Sequence, residues 1–285
     1  MTPPPSSSQT SLKSYELKLP VQREFGINEM RKQFENEIVK HPNDFHPIDI
    51  ERVRTNDWQT LRFLHRSETV QKAFNRLIET LRWKMMNQLH EINDEDFARE
   101  FYQINSIELT GRNSTNQLVV WSTSKYCRDF SELKPHIMKF VIHEIEFLDR
   151  QSLDNGIILI NDCKYVGLLS IDIDITRYAN EIVMKHYPCM IRQNIVINLS
   201  MLLDPFYRII LTFMDDEIRD KTKVLNLKNL DQYLDAEFIP VEYGGKRSVH
   251  DVRIPNNTKS YMEMPELNLT DAQLKRYKSI LSRLQ

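Results

Sequence analysis

Between Asn155 and Gly245 short apolar runs alternate with helical stretches, and few folds accept that alternation. Gly156-Ile157-Ile158-Leu159-Ile160-Asn161-Asp162 and Asn194-Ile195-Val196-Ile197-Asn198-Leu199 are apolar at consecutive positions, as strands buried on both faces require. A third run, Lys223-Val224-Leu225-Asn226-Leu227, follows. Between the second and third runs, Asp204-Pro205 opens a helix to about Met214, with an N-cap residue and proline at the first helical position. Phe206, Ile209, Ile210 and Phe213 fall on one of its faces. A strand leads into this helix and a strand leaves it, which is the pattern of a βαβ crossover packed on a parallel sheet. The same apolar face suits a lid over a ligand cavity.

The rest of the chain reads around this centre. Residues 1–27 form a Pro/Ser-rich tail expected to be disordered. Residues 28–90 form a helical subdomain of three stretches. The first carries Met30, Phe34 and Ile38, the second covers about 48–65, and the third covers about 69–87 with a stripe from Val70 through Phe74, Leu77 and Leu81 to Met85. Residues 91–247 form the α/β domain, with a strand at Leu118-Val119-Val120-Trp121, a helix at about 131–153 and another at Asp174 to Tyr187, stopped by Pro188. Residues 248–285 form an extension that ends in a helix, announced by the capping pattern Thr270-Asp271-Ala272-Gln273.

Composition excludes several functions. Lys plus Arg is 38 against Asp plus Glu 40, so no net field recruits nucleic acid, and 41% hydrophobic content over 285 residues supports a large core. Cys127, Cys163 and Cys189 have no metal spacing and suit a reducing compartment. No signal peptide and no run of roughly 20 apolar residues is visible, so a cytoplasmic location with peripheral membrane contact is expected. None of the six glycines makes a phosphate-binding loop, and no Gly-x-Ser-x-Gly elbow occurs. Asp172-Ile173-Asp174 has a metal-chelating spacing, but acidic residues there also cap the helix that follows. No enzyme activity, cofactor or metal is expected; a metal-dependent transferase using Asp172 and Asp174 is the minor rival.

Several separated pieces together resemble the CRAL-TRIO family of lipid-binding proteins. Leu61-Arg62-Phe63-Leu64-His65-Arg66 and Leu81-Arg82-Trp83-Lys84 are similar to its helical lead-in. Ile160-Asn161-Asp162 is similar to its central strand, Tyr187-Pro188 with Ile197-Asn198 to its Tyr-Pro and Ile-Asn pair, and Ile239-Pro240-Val241-Glu242-Tyr243-Gly244-Gly245 to its closing segment. Within the family the likeness points to the lipid-binding half of the motile-sperm-domain proteins. The resemblance implies an α/β fold in which a mainly parallel sheet with flanking helices floors an apolar lipid cavity. Trp121, Ile158, Ile160 and Val196 are the candidate lining, and Phe206, Ile209, Ile210 and Phe213 the face of a gate helix. It also implies one bound lipid or other hydrophobic molecule, phospholipid included, carried or presented between intracellular membranes. A non-transferring lipid sensor that recruits a protein partner through the C-terminal helix is the alternative. At the positions of the family's inositol-headgroup residues stand Cys189 for a glutamate and Glu68 for a lysine, with Lys221 matching a further lysine. Preference for phosphatidylinositol is therefore not expected.

Overall fold

The computed structural model describes residues 20–124, 128–164, 166–167, 171–248 and 252–284, so residues 1–19 of the expected tail lie outside the described residues. The remainder of that tail is a correction. Helix α1 (Pro20–Lys40) starts eight residues before Asn28. Ile27 is buried there, and Gly26 packs so closely on Leu64 that an added Cβ would meet its side chain at 3.0 Å.

The chain divides into two compact units between Ile78 and Glu79, rather than at residue 90. The first holds α1, α2 (Pro47–Thr55), α3 (Trp58–Leu64) and the start of α4 (Val70–Met86). Its core includes Met30, Phe34 and Phe45, the last two in edge contact with centroids 5.2 Å apart. The single stretch expected over 48–65 is two helices, because Asn56 leaves helical geometry and its side chain accepts from the Trp58 N–H.

The second unit is built on a five-stranded sheet of order β1-β2-β3-β4-β5. Its strands are β1 (Asn105–Arg112), β2 (Leu118–Ser124), β3 (Ile157–Asp162), β4 (Ile191–Ile197) and β5 (Thr222–Val224). β1 is antiparallel to β2 and the other pairings are parallel, as the doubly apolar runs require. Helix α5 (Arg99–Ile104) leads into β1, and the connections carry α6 (Lys134–Ser152), α7 (Ile173–His186), α8 (Asp204–Thr212) and α9 (Asp216–Lys221). β5 is shorter than expected because Asn226 turns out of the sheet to cap a 3-10 turn at Leu227–Gln232.

Two cores lie against opposite faces of the sheet. One gathers Val119, Trp121, Ile158, Ile160, Ile195 and Ile197 with Leu230, Leu234 and Phe238. The larger gathers the helices with Ile107, Leu118, Val120 and Ile157. The extension expected to be separate belongs to this larger core. Val252 bridges Glu108, the Arg253 N–H donates to the Ile107 carbonyl at 3.0 Å, and Tyr261, Met264, Leu267 and Tyr277 are buried. Helix α10 (Asp271–Leu284) turns Leu274, Ile280 and Leu281 to the same core, so its apolar side is occupied within the chain.

Candidate ligand cavity

The strand residues that face the larger core do not fill it. A cavity of about 330 Å³ lies between the sheet and the helices. Its floor is Ile107, Ser122, Leu159, Asn161, Asn194 and Val196, taken from alternate positions of four adjacent strands. Val141, Glu144, Ile145 and Leu148 of α6 and Ile175, Ala179 and Val183 of α7 form its sides. Leu203, Tyr207, Ile210 and Met214, from α8 and its two flanks, complete the lining.

α8 is the least anchored of these walls. None of its residues is fully buried, although its apolar face is strong, and Met201 and Leu202 just before it are 93% and 71% exposed. Arg177 of α7 lies over the Phe213 ring at 5.8 Å. The loop leading into α8 is tied to β3 through Asn198. Asn198 Nδ2 donates to Asp162 Oδ1 at 2.8 Å, and the Tyr243 hydroxyl donates to Asp162 Oδ2 at 2.6 Å. The closing Gly-Gly segment needs its second glycine, since a Cβ on Gly245 would overlap the Ile239 carbonyl.

Two buried carboxylates of α6, Glu144 and Glu146, each gather a charged group. Glu146 accepts from Lys84 Nζ and from the Tyr187 hydroxyl at 2.8 Å each, and from Arg150 Nε at 3.0 Å. Burial alone would raise its pKa, but Lys84, Arg150 and the Tyr187 hydrogen bond outweigh that and hold it below the usual carboxylate range. Glu144 accepts from Arg253 Nη1 at 2.6 Å, and the same guanidinium reaches Asp94, which also contacts His143. For Glu144 the loss of water dominates, and its pKa is pushed up to about 7.

The expected site residues separate. Val196 and Ile210 line the cavity. Trp121, Ile158 and Ile160 lie in the core on the other face of the sheet, where Trp121 Nε1 donates to the Phe238 carbonyl at 3.0 Å; their assignment to the lining is corrected. Phe206 and Phe213 are half-buried and Ile209 is 42% exposed, and none of the three lines the cavity. The residues missed were Ser122, Asn161, Asn194, Glu144 and Tyr207. For Ser122, Asn161 and Asn194 the signal was a polar side chain inside an otherwise apolar strand, with Asn161 two positions from Leu159 and Asn194 two from Val196.

Asp172 caps α7, accepting from the N–H groups of Asp174 and Ile175 at 3.0 and 3.1 Å. Lys134 Nζ takes the place a cation would have, 3.3 Å from Asp172 and 2.7 Å from Asp174. No cluster of three metal-ligating side chains occurs among the described residues. Cys189 has a left-handed backbone with φ of 62° and does not line the cavity. Glu68 is exposed and paired with Lys72 in the first unit, and Lys221 pairs with Glu217. No helix among the described residues is long and apolar enough to cross a membrane.

The family model described as the CRAL/TRIO domain matches residues 105–245. Patellin-5 of Arabidopsis thaliana is 26% identical over 210 residues, 65% of this chain and 30% of that protein. A CRAL-TRIO domain-containing protein of Schizosaccharomyces pombe is 23% identical over 204 residues, 67% of this chain and 58% of that protein. The chain thus spans about a third of one and somewhat over half of the other. The crystal structure of Sfh5 superposes with a TM-score of 0.57 at 19% identity, covering 91% of this chain and all of that one, and so shows the shared fold. The narrower likeness to motile-sperm-domain proteins finds no support in these relatives.

Proposed function

We propose, from the membership of residues 105–245 in the CRAL/TRIO family of lipid-binding, non-enzymatic domains, that this chain takes one hydrophobic ligand into the cavity above its sheet and carries or presents it between membranes. The observation that carries the reading is the cavity itself, about 330 Å³, walled by aliphatic side chains of the sheet and of α6, α7 and α8. Extracting hydrocarbon from a bilayer costs ~0.8 kcal/mol per methylene, so a carrier must enclose its cargo. α8 is the gate in this reading. Ile210 and Tyr207 face the ligand, while Phe206, Ile209 and Phe213, together with Met201 and Leu202, meet the membrane when the gate opens. Such loose apolar positions suit an interface better than a core. The sensor alternative keeps the same cavity but loses its named docking face, since the apolar side of α10 is occupied.

Lipid extraction and native mass spectrometry of the purified protein, followed by liposome-to-liposome transfer, test the reading. One bound hydrophobic molecule and transfer activity are expected, with inositol lipids not preferred over phosphatidylcholine. Stably folded, ligand-free protein that accepts no lipid from liposomes would overturn it.

A further inference from the structure

The apolar surface at the gate stands in an acidic setting. Met201 and Leu202 just before α8 and Ile209 on it are 93%, 71% and 42% exposed, and solvated apolar side chains grouped in this way mark an interaction surface. From Leu199 to Lys221 the gate, its approach and α9 carry five carboxylates and three cations. Each of those cations is engaged by a carboxylate of the same stretch, Arg208 with Asp204 at 2.7 Å, Arg219 with Asp216 at 3.0 Å, and Lys221 with Glu217. Arg177, which reaches over Phe213 from α7, is shared between Asp174 at 3.4 Å and Glu181 at 3.9 Å. The acidic excess falls to Asp215, which accepts from the Ile218 N–H as the cap of α9, and to Asp220, which is exposed with no ion-pair partner among the described residues. α9 is folded onto the end of α8, where Arg219 Nη2 donates to the Met214 carbonyl at 2.8 Å. The nine residues of α8 span about 14 Å, so this excess stands within a Debye length of the exposed apolar group at low salt, ~30 Å at 0.01 M.

Resting on the lipid-carrier reading above, we infer that the surface the gate meets is a membrane of zwitterionic lipid, and that an anionic leaflet repels it. The apolar group supplies the attraction, because Met201, Leu202 and Ile209 leave water for the acyl boundary. The charges choose the membrane. A basic docking face gains from anionic lipid with each lysine or arginine near the leaflet, and a face with two surplus carboxylates loses on the same scale. The local cations give no escape, since a lipid phosphate that took one would leave the displaced carboxylate beside it. A zwitterionic headgroup instead brings an ammonium to carboxylates such as Asp220 and adds no net negative charge.

The test is the rate at which the full chain loads an uncharged fluorescent hydrophobic dye from two kinds of vesicle, phosphatidylcholine alone and phosphatidylcholine with about a third of phosphatidylserine, at low and at high salt. Loading from the anionic vesicles should be about tenfold slower at low salt, ~1.4 kcal/mol, and the difference should largely vanish at high salt. Asp216→Lys combined with Asp220→Lys, two exposed positions, should reverse the preference while loading from phosphatidylcholine stays near the native rate. Native protein that loads equally fast or faster from the anionic vesicles at low salt overturns the inference, whether or not the variant folds, and leaves the carrier reading intact. A folded double variant that keeps the native preference also overturns it, since the repulsion would then arise elsewhere on the molecule. If the dye loads from neither kind of vesicle at either salt, both fall.

Discussion

Ile158 and Leu159 are neighbours on β3 and point to opposite faces, which makes them a direct test of where the cavity lies. Truncation of either to alanine removes three carbons, a transfer loss of ~2.4 kcal/mol at full burial. Ile158 is 3% exposed within the closed second core, so a new void adds to that loss, and Ile158→Ala should cost about 3–4 kcal/mol. Leu159 is half-buried and already borders empty space. No new void forms there, and Leu159→Ala should cost about 1–2 kcal/mol. At ~2–4 °C per kcal/mol for a chain of this size, the melting temperatures should separate by several degrees. Urea unfolding followed by tryptophan fluorescence reads the stabilities, and dye loading reads the cavity. Ile158→Ala should load like the native protein once folded, whereas Leu159→Ala should shift the range of ligands accepted towards larger ones. Equal stability losses, or loss of loading in Ile158→Ala with stability retained, would refute this assignment of faces.

Glu144 titrates near 7 when folded and near 4.5 when unfolded, so between those values the folded state holds a proton the unfolded state has released. Stability should fall by about 3 kcal/mol as pH rises through that window, and Glu144→Gln should flatten the slope, as urea midpoints at pH 5 and pH 7.5 will show. Glu146 has the opposite sign: its contribution is full above the ordinary carboxylate range and is lost as pH falls below it. Lys84→Met, which removes one charged partner of that carboxylate at 4% side-chain exposure and leaves Arg150 and Tyr187 beside it, should cost ~3 kcal/mol in the same assay. Ile210→Asp places a charge over the cavity from a helix with no fully buried residue, so ligand loading should drop severalfold while the melting temperature moves by only a few degrees.

Periodicity made the helices and the parallel strands legible, because Ile157 to Ile160 and Ile195 to Ile197 have few other ways to be buried. It left β1 unseen. Asn105–Arg112 offers only Ile107 and Leu109 as apolar residues, holds a buried Glu108, and carries a bulge between Leu109 and Gly111. Periodicity also had no means of saying which face of the sheet meets empty space. Trp121, Ile158 and Ile160 are as apolar as Leu159 and Val196, and only helices distant in sequence decide which set packs tightly. The polar interruptions at Ser122, Asn161 and Asn194 carried that information, since a tightly packed parallel core has little use for them. Glu144 was hidden for another reason. Its partner Arg253 is 109 residues away, in a stretch that reads as irregular.

The stretch that matches the family ends at residue 245, but the larger core continues through Tyr261, Met264, Leu267 and Tyr277. The recognisable unit and the unit that unfolds are therefore different objects. A protease cut between Gly245 and Val252 would leave every family motif intact. It would also free the segment that closes one side of the core, and a peeling segment would carry off Arg253, the counter-charge on which Glu144 depends. Loss of the last thirty or so residues would thus reach the ligand without touching any residue by which the domain is recognised.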